Sequence, residues 1–251
     1  MSTADTQARP TQSAVVTGGS NGIGAAVVTR LLHAGLAVVQ VDLTAPSGHD
    51  SSATFVQGDS GDVAALGHAV ELARNAADEF SVFVACAGVS RPGASFDYAR
   101  DDWQHLVDVN LSSVFFGARL AAEAMPHGGS IVAVASVHAH VGFGGRAAYT
   151  ATKAGVVGLV RSLAVEWAPR RIRVNSVSPG YTATQLVTNN IASGVLDEDE
   201  LLNRIPAHRL GTPAEVAEAV WFLASPAASY ITGTDVLVDG GLAAYGLPLN
   251  S

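Results

Sequence analysis

Short apolar runs alternate with longer helix-forming stretches along most of the chain, and this alternation limits the folds open to it. The runs predicted as strands are Ala14–Thr17, Ala37–Val41, Thr54–Val56, Val82–Ala85, Ser130–Ala135, Arg173–Val177 and Asp235–Val238. Helices are predicted at Gly22–Ala34, Asp62–Asp78, Trp103–Met125, Tyr149–Ala168 and Pro213–Leu223, and Asp62 is a candidate cap for the second of them. We therefore expect an α/β fold with a single doubly wound sheet of about seven parallel strands and helices on both faces.

The length and composition indicate one domain. The chain has 251 residues, which is enough for one substantial core. Only 14% of its residues are charged, which argues against disorder and favours surface that is buried between subunits. Residues 1–12 are expected to form a flexible N-terminus, and residues 13–251 a single domain.

Composition also disfavours several classes of function. The formal net charge is −8 and no block of Lys and Arg occurs, so we expect neither nucleic acid nor an anionic membrane as a partner. Cys86 is the only cysteine, and no metal site is expected. The N-terminus lacks the apolar stretch of a secretory signal, and charged residues interrupt the long apolar runs. These features predict a cytoplasmic protein.

A glycine-rich turn, Thr17–Gly24, follows the first predicted strand and begins the first predicted helix. Glycines permit a tight turn and let the backbone approach a pyrophosphate, while the free N–H groups at the helix start receive its negative charge. The strand–turn–helix context favours a dinucleotide site over an ordinary loop.

Asp42 lies at the end of the second predicted strand, 18 residues after Gly24. A carboxylate there can accept hydrogen bonds from the ribose hydroxyls of NAD, and it would repel the 2′-phosphate of NADP. No Lys or Arg is close to it in sequence. We therefore predict NAD rather than NADP; the alternative is a surface aspartate that starts a loop.

Tyr149 and Lys153 are four residues apart at the start of a predicted helix, so they share one face. A phenol is a poor base at neutral pH, and a neighbouring ammonium favours its phenolate form. Ser136 follows the preceding strand, where its hydroxyl could hold a substrate oxygen. Taken alone, a Tyr-x-x-x-Lys pair is more often structural than catalytic.

Together these motifs resemble the short-chain dehydrogenase/reductase family, over residues 13–243. The matching elements are the Gly-rich turn Gly18–Gly24, the helix asparagine Asn110, the set of Ser136, Tyr149 and Lys153, the Pro-Gly segment Pro179–Thr184 and the C-terminal signature Ile231–Gly241. The resemblance implies a Rossmann-type catalytic domain that binds a nicotinamide cofactor. It also implies an oxidoreductase that interconverts a secondary alcohol and a ketone by hydride transfer.

The resemblance assigns roles to individual residues. Tyr149 is the acid/base, Lys153 assists it and binds the nicotinamide ribose, and Ser136 polarises the substrate oxygen. Asn110 carries a proton relay. The residues implied in cofactor binding are Gly18, Ser20, Asn21, Gly22, Ile23, Gly24, Asp42, Leu43, Asp59, Ser60, Ala87, Gly88, Asn110, Tyr149, Lys153, Pro179, Gly180, Thr182 and Thr184.

Two other functions stay open. One is a 3-oxoacyl-thioester (acyl-carrier-protein) reductase, against which Asp42 counts because that group usually uses NADPH. The other is a non-catalytic NAD-binding regulator, against which the intact catalytic set counts. The small-molecule alcohol or ketone itself is not readable from the sequence.

The chain departs from the family after the fourth strand, where the usual Asn-Asn-Ala-Gly is Ala85-Cys86-Ala87-Gly88. The missing asparagine removes side-chain hydrogen bonds that brace the sheet. Cys86 is interpreted as a small buried filler rather than a redox group. Ser60 after Asp59 adds a polar group for which the sequence offers no use.

The segments that line the substrate pocket in this family correspond to Val89–Ser95, Val137–Arg146 and Gln185–Arg204, with a substrate loop at about 182–210. They hold Arg91, His138, His140 and Arg146. These basic side chains favour a polar or anionic substrate if they line the pocket; the alternative is that they face water or another subunit. The candidate substrate residues are Ser136, His138, Arg146, Tyr149 and Gln185. The acidic run Asp197–Glu200 predicts a helix start that fits either a mobile lid or a solvated face.

Trp103–Met125 and Tyr149–Ala168 carry apolar or small residues on nearly every face, as helices buried all round do. Gly155 and Gly158 would permit close approach of another helix. We therefore expect a homo-oligomer, for which the family resemblance suggests a tetramer; the alternative is a thick core under loops.

Overall fold

Seven parallel strands form one sheet in the computed structural model, which describes residues 10–46 and 52–245. The strands are β1 (Gln12–Thr17), β2 (Ala37–Asp42), β3 (Thr54–Gln57), β4 (Glu79–Ala85), β5 (Gly129–Val134), β6 (Ile172–Pro179) and β7 (Asp235–Val238). Their order across the sheet is β3-β2-β1-β4-β5-β6-β7, and every neighbouring pair is parallel. The doubly wound α/β sheet predicted from the sequence is therefore confirmed.

Helices connect the strands, and some of them begin at a side chain that caps the first turn. They are α1 (Gly22–His33), α2 (Val63–Ala76), α3 (Arg100–Val107), α4 (Ser113–Glu123), α5 (Ala147–Trp167), α6 (Gln185–Ala192), α7 (Glu198–Asn203) and α8 (Pro213–Ala224). Asp62 caps α2, as predicted, by accepting a hydrogen bond from the backbone N–H of Ala64. Thr212 and Glu215 form a reciprocal capping box at the start of α8.

The core has two apolar layers, one on each face of the sheet. Successive side chains of a strand point to opposite faces, so Val15 of β1 packs with α2, α4 and α5, while its neighbours Ala14 and Val16 pack with α1 and α8. The sheet is thereby covered on both sides, which explains why strands such as β1 and β5 carry successive apolar residues rather than alternating ones.

The stretch predicted as one helix, Trp103–Met125, begins earlier and is interrupted. It starts at Arg100, and a π-helical segment, Asp108–Ser112, separates α3 from α4. The periodicity of apolar residues cannot distinguish one wider turn from a regular one. Such π segments occur mostly as single turns and frequently at functional sites.

The chain termini and the substrate loop also differ in detail from the sequence prediction. Gln12, expected in the flexible N-terminus, is the first residue of β1, while residues 1–9 lie outside the described residues. Two short helices, α6 and α7, occupy the predicted substrate loop. Asp197 caps α7 by accepting from the N–H of Glu200, so the acidic run does begin a helix.

The strand order reverses beside β1, between the branch that runs to β3 and the branch that runs from β4 to β7. Ligands of open α/β sheets bind at this reversal, outside the carboxyl ends of the strands. There the turns after β1 and β4 nearly touch, because a Cβ on Gly18 would lie 2.7 Å from Cα of Ala87. The fold thus places its crevice at the glycine-rich turn.

The packing of α4 on β4 generates a stability prediction. Phe83 is fully buried, and its ring fills the space left by Gly117 of α4, where a Cβ would lie 2.6 Å from Cζ. We expect Phe83→Ala to lower the free energy of unfolding by about 3–5 kcal/mol, because it leaves a cavity. Urea denaturation measures the change.

The matched control for this prediction is Phe96→Ala, which truncates a fully exposed phenylalanine and should change the same quantity by less than about 0.5 kcal/mol. Equal effects of the two substitutions would contradict the assignment of Phe83 to the core.

Candidate active site

The glycine-rich turn between β1 and α1 has a backbone that favours glycine at three points. Gly18 and Gly22 have positive φ angles of 67° and 54°. A Cβ on Gly24 would lie 1.9 Å from the carbonyl oxygen of Gly18. The glycine spacing recognised in the sequence is therefore the spacing that the turn itself requires.

The N-terminus of α1 is open toward this turn. Asn21 is the cap residue, and its side chain makes no capping hydrogen bond. The first N–H groups of α1 therefore have no side-chain acceptor at the cap. A cradle without side chains, next to an uncapped helix start, fits the pyrophosphate of a dinucleotide.

Asp42 braces the same turn from the end of β2. Its Oδ2 accepts a hydrogen bond of 3.0 Å from the backbone N–H of Ser20, whose own hydroxyl donates to the Thr44 carbonyl at 2.7 Å. Among the residues that the structure describes, no Lys or Arg forms an ion pair with Asp42. The neighbouring Leu43 is exposed. The carboxylate thus stands uncompensated beside the turn.

The segment after β4 completes the floor of the crevice. The Thr17 hydroxyl accepts from the backbone N–H groups of Cys86 and Ala87, at 3.2 and 3.3 Å. Backbone bonds to Thr17 therefore tie this segment to β1. Burial raises the pKa of the Cys86 thiol to about 12, which supports the interpretation as a filler rather than a redox group.

The segment after β3 borders the crevice less closely. Asp59 is exposed and accepts from the N–H of Gly61 at 2.8 Å, while Ser60 is buried. Both residues follow β3, as expected from the sequence. Among the described residues, no hydrogen bond explains the presence of Ser60.

Asn110 lies in the π-helical segment and is fully buried. Its side-chain oxygen accepts from the N–H of Val89 at 2.8 Å, and its amide donates to the Val89 carbonyl at 2.9 Å and to the Thr152 hydroxyl at 3.2 Å. The amide therefore joins the segment after β4 to helix α5.

Lys153 and Tyr149 stand on the first turns of α5. The Lys153 side chain is almost fully buried, and its ammonium donates to the Val134 carbonyl at 2.8 Å. Its Nζ lies 5.8 Å from the centre of the Tyr149 ring. The position of a Cβ on Gly88 would be 3.3 Å from Asn110 Oδ1 and 3.4 Å from Lys153 Nζ. Asn110, Lys153 and Tyr149 therefore share one small volume.

Ser136 reaches the same place from the end of β5. Its hydroxyl accepts from the backbone N–H of His138 at 3.2 Å and caps a short 3₁₀ turn, Val137–Ala139. The His138 ring in turn meets the edge of Tyr149, with 5.2 Å between ring centres. Ser136 is thereby linked to Tyr149 through His138, while Asn110, Lys153 and Tyr149 lie together.

The Pro-Gly segment after β6 lies over the crevice. Gly180 packs against Asp239, where a Cβ would lie 2.8 Å from its Cα. Thr182 is buried and bridges to Gly211. Thr184 caps α6, and its Cγ2 lies 3.2 Å from the Cβ position of Gly22. The segment therefore covers the glycine-rich turn.

An aromatic cluster borders Tyr149, and two of its members were missed by the sequence reasoning. Phe143 stacks on His138 with 4.0 Å between ring centres, and Tyr181 meets the edge of Phe143 at 6.4 Å. Tyr181 lies inside the recognised Pro-Gly segment, which was the available signal; nothing in the sequence distinguished Phe143. Burial, followed by the charge of Arg146, lowers the pKa of His138 to about 4.

Other predicted pocket residues have different partners. Gln185 is exposed on α6 and its amide donates to Asn189 at 2.7 Å. His140 contacts Asp235 of β7 at 2.7 Å, and Arg91 pairs with Asp102. Of the basic side chains predicted near the pocket, His138 and Arg146 remain beside it, and Arg146 donates to the Ser90 hydroxyl at 2.8 Å.

Two kinds of feature are absent from the described ranges, 10–46 and 52–245. No helix in them is long and apolar enough to cross a membrane. They contain no group of three or more His, Cys, Asp or Glu side chains that could hold a metal ion.

A protein-family model and several known proteins match this chain over most of its length. A family model described as enoyl-(acyl carrier protein) reductase matches residues 18–243. An uncharacterized short-chain type dehydrogenase/reductase of Sinorhizobium fredii is 38% identical over 94% of this chain, which spans only 44% of that protein. A 3-oxoacyl-[acyl-carrier-protein] reductase of Synechocystis is 35% identical over 93% of this chain and 98% of its own length. A 2-dehydro-3-deoxy-D-gluconate 5-dehydrogenase of Dickeya dadantii is 34% identical, over 91% and 94%.

Solved structures agree in fold. Thermoplasma acidophilum aldohexose dehydrogenase, in ligand-free form, has a TM-score of 0.88 and 31% identity, covering 96% of this chain and 97% of its own. ElxO with NADP bound has a TM-score of 0.87 and 27% identity, covering 94% and 99%.

The closeness of Gly24 to the Gly18 carbonyl generates a binding prediction. We expect Gly24→Ala to weaken NADH binding by at least about tenfold, because the added methyl must displace the turn that would hold the pyrophosphate. Fluorescence titration with NADH measures the affinity, and far-UV circular dichroism checks that the fold persists.

Gly67→Ala is the control for this substitution, since a Cβ at that position in α2 meets nothing within 4 Å. It should leave NADH binding unchanged. If Gly24→Ala bound NADH as tightly as Gly67→Ala, the turn would not be the phosphate site.

Proposed function

The chain belongs to the short-chain dehydrogenase/reductase family of nicotinamide-dependent oxidoreductases that act on hydroxyl and keto groups, and we propose that it uses NAD(H) to interconvert a secondary alcohol and a ketone. The observation that supports this proposal is the grouping of Asn110, Lys153 and Tyr149 around the segment after β4, with Ser136 linked to Tyr149 through His138. A protein that only bound the cofactor would have no need of this set.

The crevice would hold the dinucleotide in an extended form along the carboxyl ends of the strands. The turn of Gly18–Gly24 and the start of α1 would take the pyrophosphate, and Asp42 the adenosine ribose. Lys153 and the Pro-Gly segment would hold the nicotinamide end. Once bound, the cofactor supplies or accepts the hydride that the carbinol carbon gains or loses, so that alcohol and NAD⁺ balance ketone, NADH and one proton.

Tyr149 would handle that proton. In oxidation its phenolate oxygen takes the hydroxyl proton of the substrate, and in reduction its hydroxyl gives the proton back. The ammonium of Lys153, which is buried beside the tyrosine ring, would place a positive charge next to the site of proton transfer. The Ser136 hydroxyl, at the end of β5, would hold the substrate oxygen in line with Tyr149.

Asn110 would position these groups rather than react. Its amide fixes Val89 on one side and Thr152, next to Lys153, on the other. The family resemblance adds a proton relay through Asn110 and Lys153 to solvent, which we retain as part of the proposal.

The preference for NAD rests on Asp42. Its carboxylate is held beside the turn by Ser20 and faces no ion-pair partner among the described residues. A 2′-phosphate placed there would meet a negative charge. The solved structure of ElxO, which is 27% identical to this chain, contains NADP, so a protein with this fold can also bind the phosphorylated cofactor.

The second candidate is a 3-oxoacyl-thioester reductase. The description of the matching family model and the Synechocystis relative favour it, while the uncompensated Asp42 does not fit NADPH.

A homotetramer and a cytoplasmic location remain predictions from the sequence. Outward-facing Phe116 on α4 and Val165 on α5 support an oligomer, since both are exposed apolar side chains.

The role of Tyr149 generates the first functional prediction. We expect Tyr149→Phe to lower kcat by at least about a hundredfold, because the variant keeps the ring but loses the acid/base oxygen. An NAD-coupled assay over diols, hydroxy acids, sugars and simple secondary alcohols measures turnover. NADH affinity should stay close to that of the wild type.

Tyr230→Phe removes the same oxygen from a fully exposed tyrosine and should keep full activity. Normal turnover by Tyr149→Phe would overturn the mechanism.

The role of Asp42 generates the second functional prediction. We expect the wild type to have a higher kcat/KM with NAD⁺ than with NADP⁺. Asp42→Ala should narrow that ratio by about tenfold or more, because it removes both the ribose acceptor and the repulsion of a 2′-phosphate. Glu71→Ala, which removes an equal charge from the exposed side of α2, should leave the ratio unchanged. Preference of the wild type for NADP⁺ would refute the cofactor assignment.

A further inference from the structure

Arg146 carries an unpaired positive charge at the edge of the candidate active site. It is the cap residue of α5, three residues before Tyr149, and its Nη1 donates to the Ser90 hydroxyl at 2.8 Å. Ser90 follows Val89, whose backbone is held by Asn110. The guanidinium is therefore anchored to the same framework as the catalytic set.

Neighbouring arginines differ from Arg146 in having carboxylate partners. Arg91 pairs with Asp102, and Arg204 pairs with Glu200 at 2.8 Å. Within the described ranges, no carboxylate lies within ion-pair distance of Arg146. A guanidinium has five N–H donors, and one hydroxyl acceptor leaves most of them for a ligand.

His138 also lacks a partner. Its Nδ1 is buried and makes no hydrogen bond with any described residue, although buried polar atoms are normally paired because leaving them unpaired is costly. The ring is held between the Phe143 face and the Tyr149 edge. Its lowered pKa, about 4, means that the imidazole is neutral at pH 7 and can bond a hydroxyl without adding charge.

Together, Arg146 and His138 indicate the chemical class of the substrate. We propose that the substrate is a small polyhydroxylated carboxylic acid whose carboxylate binds Arg146, while its reacting carbinol lies against Tyr149 and a neighbouring hydroxyl bonds His138. The charge of Arg146 acts on His138, whose ring contacts Tyr149, so one short acid can reach both Arg146 and Tyr149. A planar guanidinium suits a carboxylate because it can donate two parallel hydrogen bonds.

This inference rests on the proposed function, since the carbinol is the group that is oxidised. It adds that the carboxylate is held and does not react. The product is the corresponding keto acid, formed with transfer of one hydride and release of one proton as above.

The test compares two probes that differ in charge. Isothermal titration of the full-length protein saturated with NADH measures the dissociation constants of D-gluconate and of D-glucitol, which has a carbinol where gluconate has its carboxylate. We expect gluconate to bind at least about tenfold more tightly, the size of one charge-assisted hydrogen-bonded pair. In Arg146→Gln the two constants should come within about threefold of each other.

Arg91→Gln is the matched control, because it removes a paired arginine from the adjacent loop, and it should keep the tenfold ratio. Arg146→Lys should retain part of the ratio. His138→Phe, which preserves ring stacking, should weaken both probes by about fivefold, the size of one neutral hydrogen bond.

Equal affinities of the two probes, no measurable binding of gluconate, or an unchanged ratio in Arg146→Gln would each overturn the proposal. An enzyme that oxidises neutral alcohols through Tyr149 but does not favour acids would disprove this inference alone. Binding of gluconate through Arg146 with no Tyr149-dependent turnover would disprove the proposed function instead.

Discussion

The common direction of all seven strands is the constraint on which the rest of the molecule depends. Parallel strands bring their carboxyl ends to one edge of the sheet, so segments far apart in sequence meet there. The glycine-rich turn after β1, Asp42 at the end of β2 and Ser136 after β5 all stand on this edge. The close contact between Gly18 and Ala87 marks the point where the strand order reverses, and a ligand can enter there.

Backbone and amide groups, rather than opposite charges, hold the candidate site together. The buried ammonium of Lys153 is satisfied by the Val134 carbonyl, and Asn110 uses both ends of its amide to join two segments. A buried cation without a carboxylate partner is costly unless it is hydrogen-bonded. The role proposed for Lys153 would account for a buried charge at this place, and the π-helical turn that carries Asn110 is of a kind found frequently at functional sites.

Much of the fold could be predicted because it depends on local rules. Apolar runs identified the strands, and Asp62 identified the start of α2 through its capping side chain. The residues of the candidate site were found through motif spacing, but their neighbours were not. The partner of His140 lies 95 residues away in β7, and the stacking of Phe143 on His138 depends on how a loop folds back. The π-helical segment leaves no mark in the pattern of apolar residues, because one wider turn shifts that pattern too little.

The proposed activity requires the Tyr149 phenol, the Lys153 ammonium and the Ser136 hydroxyl to converge where a bound dinucleotide presents its nicotinamide ring. A crystal structure of the protein with NAD⁺ and an alcohol substrate would show whether they do. We expect the pyrophosphate to lie against the glycine-rich turn and the Tyr149 oxygen to lie about 2.6–3.2 Å from the substrate oxygen, the reach of a hydrogen bond. A dinucleotide bound elsewhere, or a Tyr149 oxygen turned away from the substrate, would refute the proposed activity.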